Sequence, residues 1–92
     1  MHIRSVQLVL LVPLLSSVHA MASTQQEELM SAYQSAVDAH RRNHLGEALS
    51  YYRKVISIQP AIAAVHNNVA AILLQQGDKA EAEASWRTAI EL

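Results

Sequence analysis

Along residues 45–56 the apolar positions Leu45, Ala48, Leu49, Tyr52, Val55 and Ile56 recur at three- and four-residue intervals, the spacing that lines one face of a helix. Thirty-four residues further on, Ala82, Trp86, Ala89 and Ile90 repeat the last part of that pattern. Glu47-Ala48 aligns with Glu81-Ala82, Tyr52 with Trp86, Arg53 with Arg87, Ile56 with Ile90, and upstream Ala36 with Ala70. A helix-turn-helix unit of this length cannot bury its apolar face alone and stacks on a copy of itself. Function is then expected on the surface that stacking creates.

The same reading divides the chain into four helices. Leu29, Ala32, Tyr33, Ala36 and Val37 give the first an apolar face, and Thr24-Gln25-Gln26-Glu27 has the form of a capping box that would open it. It is expected to end near Arg42, with Arg41 and Arg42 complementing the negative end of the helix dipole and Asn43 adopting the left-handed conformation that terminates helices. The second helix runs from about Leu45 to Ile58 and stops before Pro60, because the residue preceding a proline is driven out of the helical region. Ile62, Val65, Val69, Ile72 and Leu73 form the face of the third, which ends near Gln76. Gly77 stands in the place of Asn43, and Asp78-Lys79-Ala80-Glu81 offers a second capping box that opens a fourth helix. No segment alternates as a half-buried strand does, so the expected fold is all-α.

Ala48-x3-Tyr52 followed by Pro60, and Ala82-x3-Trp86, resemble the second half of the tetratricopeptide repeat. In the places of that family's W, L, G and Y stand Ala32, Ser35, Ala36 and Ala39 in the first unit and His66, Val69, Ala70 and Leu73 in the second. The resemblance covers about Gln25 to Leu92 and implies two antiparallel helix pairs forming a short right-handed α-solenoid, with units at 25–60 and 61–92. Ala36, Ala48, Ala70 and Ala82 fall where helices must approach closely. Tyr52 and Trp86 are the bulky fillers between stacked helices, and Trp86 is expected to be largely buried. Leu92 corresponds to Ile58, two residues short of where a second Pro60 would stand, so the second unit is expected to lack its last residues and cap.

Ahead of these units, Arg4 precedes an apolar run from Val6 to Leu15 and the small-residue stretch Ser16-Ser17-Val18-His19-Ala20. That order is the one found in secretory signal peptides, expected here as a hydrophobic leader helix within 1–20 with cleavage after Ala20 or Ala22. The run is too short for a transmembrane span of roughly 20 residues. The implied destination is the secretory route, periplasm or ER lumen. Without Arg4, the chain's seven Lys/Arg and eight Asp/Glu leave a formal charge of −2. Basic residues cluster only as Arg41-Arg42 and Arg53-Lys54, which points away from nucleic acid. Cysteine is absent, so stability must come from helix packing, assembly or a longer chain.

Candidate chemistry is sparse. His40 and His44 are four residues apart, a metal-binding spacing on a continuous helix, but the expected turn at Asn43 separates them and Arg41 and Arg42 repel a cation. They read as surface histidines, and no metal or cofactor is expected. His66, in a slot usually aromatic, reads as a packed, hydrogen-bonded residue. No serine sits in a Gly-x-Ser-x-Gly elbow. Glu27-Glu28 and Glu81-x-Glu83 occupy helix starts, where acids complement the dipole. Gly46 and Gly77 are too few for a phosphate-cradling loop. These features point to a module that is not an enzyme.

The family resemblance implies protein or peptide recognition in a concave groove lined by the first helix of each pair. Carried over position by position, the groove would present Met30, Tyr33, Gln34, Val37, His40 and Arg41 from the first unit and Ala64, Asn67, Asn68, Ala71, Leu74 and Gln75 from the second. Members that clamp a chaperone's terminal carboxylate use Lys and Asn where this chain has Tyr33 and Val37, so only Asn68 matches and that ligand is disfavoured. Gln34 and Asn68, equivalent one repeat apart, resemble the asparagine ladder of O-linked N-acetylglucosamine transferases, which implies a hold on a peptide's backbone. The alternatives are the N-terminal part of such an enzyme and a structural module that self-associates through its uncapped last helix.

Overall fold

The computed structural model describes residues 24–92, and the signal peptide and leader helix read within 1–20 lie outside them. The described residues form four helices: α1 over 24–41, α2 at Leu45–Ile58, α3 at Ala63–Gln75 and α4 at Lys79–Glu91. None of these helices is long and apolar enough to cross a membrane. Thr24, where the expected capping box starts, is the first described residue and is helical.

Both helix pairs turn by one device, repeated 34 residues apart. Asn43 (φ 62°) and Gly77 (φ 85°) are in the left-handed conformation. His44 N–H donates to the Ala39 carbonyl at 2.8 Å and Asn43 N–H to His40 at 3.0 Å. In the second unit Asp78 N–H donates to Leu73 at 2.9 Å and Gly77 N–H to Leu74 at 3.0 Å. This crossed pair of bonds, a Schellman motif, satisfies carbonyls that the end of a helix leaves without a partner.

The residue after each left-handed position caps the next helix, and here the units diverge. Asp78 accepts a hydrogen bond from Glu81 N–H through Oδ1 at 3.2 Å, whereas His44 gives no side-chain cap. Only this half of the expected capping box forms. Asp78 N–H is already committed to Leu73, and the Glu81 carboxylate instead lies 3.7 Å from the Arg53 guanidinium on α2. Between the pairs, Gln59 is extended ahead of Pro60 (φ −137°, ψ 96°), as the proline ring requires. His66 Nε2 lies 2.7 Å from the Pro60 carbonyl oxygen and fastens the start of α3 to that turn.

The core runs continuously through both units. Leu49, Tyr52, Val55, Val65, Val69, Ile72 and Leu73 are buried in it, and Ala36, Ala48, Ala70 and Ala82 have no exposed surface at all. Alanine at these four places lets neighbouring backbones approach, since a larger side chain would have to displace an adjacent helix. Trp86 is only half-buried, contrary to the expectation of a largely buried filler. Tyr52, its equivalent, is 1% exposed because α3 of the following unit covers it, and no described helix covers α4 in the same way. Ile90, at 84% exposure, and Leu92, at 56%, lie on the same helix end.

Candidate functional site

Helices α1 and α3 form two walls of an open hollow of 380 Å³ whose floor comes from α2. Four residues of α1 line it, namely Tyr33, Val37, His40 and Arg41, and Asn68 of α3 faces them. Three- and four-residue spacing puts the α1 residues on one stripe of the helix. Tyr52 lies beneath, buried among the aromatic rings: Tyr33 meets it edge-on with centroids 6.3 Å apart, and His40 does the same at 6.3 Å and 90°. Such edge-to-face pairs set the partially positive rim of one ring against the electron-rich face of the other.

Asn68 Nδ2 donates to the Tyr52 hydroxyl at 3.3 Å. Burial pushes the pKa of that hydroxyl above its ordinary value of 10.0, Tyr33 adds to the shift, and the Asn68 hydrogen bond works against it. The chain therefore holds one neutral phenol under the hollow, tied to the second unit by one amide.

A second, smaller hollow of 270 Å³ adjoins the first along α1 and is lined by Tyr33, Gln34, Val37, Asp38 and Arg41. Asp38 turns from it to meet Arg42, with Oδ2 3.3 Å from Nε. Behind this face, Ser35, Asp38, Ala39, Arg42, His44, Glu47 and Tyr51 surround a polar crevice of 140 Å³, where His44 Nδ1 lies 3.5 Å from Glu47 Oε2. His40 and His44 thus point into different environments, and no group of His, Asp and Glu among the described residues could hold a metal ion.

The two hollows together gather half of the residues that the sequence assigns to a groove. Tyr33, Val37, His40, Arg41 and Asn68 line the larger, and Gln34 lines the adjoining one. Met30, 58% exposed, lies further towards the start of α1. Ala64, Asn67, Leu74 and Gln75 are exposed and Ala71 half-buried on α3, outside both hollows. Tyr52 is the residue that sequence reading placed in the core alone. It is buried, yet its ring and hydroxyl form the floor of the hollow. A polar end on a core-filling residue was the available signal, because a buried tyrosine hydroxyl needs a partner nearby.

Two stretches, 32–62 and 63–92, match the family model for the tetratricopeptide repeat and together span more than half of the chain. No curated protein and no solved structure matches the chain. With two consecutive matches laid over two helix pairs that turn and pack alike, the chain belongs to the tetratricopeptide repeat family.

Proposed function

We propose that this chain is a non-catalytic recognition module that takes an extended peptide segment of a partner protein along α1 and α3. Tetratricopeptide repeats generally mediate protein–protein interaction. The observation that carries the reading here is the hollow between the two helices, with aromatic floor, apolar wall and one cross-unit amide. Tyr33 and Val37 offer apolar area to a side chain of the ligand, while Gln34, Asn67 and Gln75 offer amides that can bond to its backbone without reading its sequence. The order of Arg4, Val6–Leu15 and Ser16–Ala20 supports delivery by the secretory route, with the mature chain beginning at Met21 or Ser23.

The test is a partner isolated with the full chain from its native host and then measured against variants. Tyr33→Ala and Val37→Ser, both at half-buried positions packed against the core, should weaken that partner under conditions where helicity and thermal melts show the variants still folded. Unaltered affinity in both would place binding on another face. N-terminal sequencing of the same material checks the export reading, which an intact Met1 overturns.

A second reading rests on α4. Half-buried Trp86 and exposed Ile90 and Leu92 leave apolar area that another copy can cover. Sedimentation of the full chain over a range of concentrations should then show a dimer that Ile90→Lys dissociates, and a monomer throughout would exclude it.

A further inference from the structure

The larger hollow carries formal charge of one sign, from Arg41, on a chain whose formal charge is the opposite one, and of the two hollows Asp38 lines only the adjoining one. Arg41 lines both hollows and takes part in no ion pair among the described residues, while His40 stands beside it over Tyr52. The facing wall, α3, contains no Asp, Glu, Lys or Arg. Of the acids on α1, Asp38 is engaged by Arg42 at 3.3 Å. Glu27 and Glu28 lie near the opposite end of that helix, about 20 Å from Arg41 at 1.5 Å per residue. Glu47 is behind α1, beside His44. Tyr52 cannot supply a negative charge at neutral pH, since its hydroxyl is held above its ordinary range.

Resting on the peptide-binding reading above, we propose that the groove selects an internal acidic segment of its partner. An Asp or Glu side chain meets Arg41, and an adjacent apolar residue rests on Tyr33 and Val37. Arginine presents a planar fork of donors that matches a carboxylate in two places at once, and it stays charged at all working pH values. Selection of a chain's interior rather than its terminus follows from the shape. The two hollows adjoin along α1 and are open, so a strand can pass through, and Arg41 is the single formal positive charge that lines them.

The experiment uses the full chain as bait for two random-peptide libraries, one displayed as an internal loop with no free carboxylate and one with a free C-terminus. The internal library should yield sequences in which Asp or Glu neighbours Leu, Ile, Phe or Tyr, with Lys and Arg depleted. Affinity of a selected, end-blocked peptide should fall about threefold in Arg41→Gln and about tenfold in Arg41→Glu, the range of one exposed ion pair and its reversal. It should also weaken as salt approaches about 1 M, where screening acts within about 3 Å. Arg87→Glu makes the same change in net charge from the exposed face of α4 and should leave binding unchanged. Enrichment without acidic bias, an equal loss in Arg87→Glu, or binding confined to free C-termini would each overturn the proposal. In those cases continued sensitivity to Tyr33→Ala keeps the groove as the binding face, whereas insensitivity to it removes the peptide-binding reading as well.

Discussion

The Asn68 amide, from the first helix of the second unit, donates to the Tyr52 hydroxyl in the second helix of the first unit at 3.3 Å. It is the one hydrogen bond from side chain to side chain between the two units among those of the described residues, and it also closes the floor of the hollow. Tyr52→Phe and Asn68→Ala should each lower stability by about 0.5–1.5 kcal/mol, towards the lower end because the bond is long. The double variant should cost less than the sum, since either change alone already removes the bond. Tyr52→Ala, which also empties the core, should cost roughly 3–5 kcal/mol. Denaturant unfolding of the four proteins checks all of these, and strict additivity would show that the bond contributes nothing.

Tyr52 also couples stability to alkaline pH. Its pKa is raised in the folded chain, so the folded state holds the phenol proton more tightly than the unfolded state does. That stabilising difference is complete below the ordinary tyrosine value of about 10 and is lost as pH rises through the folded value. Melting temperatures followed upward from neutral pH should fall more steeply for the native sequence than for Tyr52→Phe.

The alanines without exposed surface should be intolerant of growth. Ala48→Leu and Ala70→Leu should each destabilise by about 1–3 kcal/mol through overpacking. Trp86→Ala should cost less than the roughly 3 kcal/mol that marks loss of a fully buried aromatic, because the residue is only half-buried. Thermal melts of the three variants would then rank the alanine substitutions with or above the tryptophan one.

The paired turns give a comparison internal to the molecule. Gly77→Ala should destabilise by about 1 kcal/mol, since φ of 85° strains any residue with a β-carbon, although there is open space around the site. Asp78→Ala should cost about 1 kcal/mol through loss of the cap, and His44→Asp should recover a few tenths to 1 kcal/mol by supplying the cap that α2 lacks. Helicity and melting temperature measured at neutral pH distinguish these signs.

The helices were legible because their punctuation is local. Leu45–Ile58 agrees at both ends with the apolar run and the following proline, and the left-handed turns follow from Asn43 and Gly77 one repeat apart. What the pattern could not give was the use to which a side chain is put once two units meet. The Glu81 carboxylate reaches Arg53 instead of closing the box, and Asn68 reaches Tyr52 across 16 residues of sequence. The extent of Trp86's burial was equally hidden, since a period specifies which residue faces the neighbouring unit and not how far it is covered.

Among the fully buried residues of the core, α1 supplies only Ala32, Ala36 and Ala39, while the long aliphatic and aromatic side chains come from α2 and α3. Each of those alanines removes little apolar area from water, so α1 is held chiefly by half-buried Leu29, Tyr33 and Val37. The helix that carries most of the hollow's lining is therefore held less firmly than α2 and α3. Its amides should exchange with solvent through local opening well before those of α2 and α3. A ligand gripping both walls would oppose that opening, by about 2.7 kcal/mol at a free concentration 100 times its Kd. Occupancy of the groove can thus be read directly as slowed amide exchange along α1, before the partner's own chemistry is known.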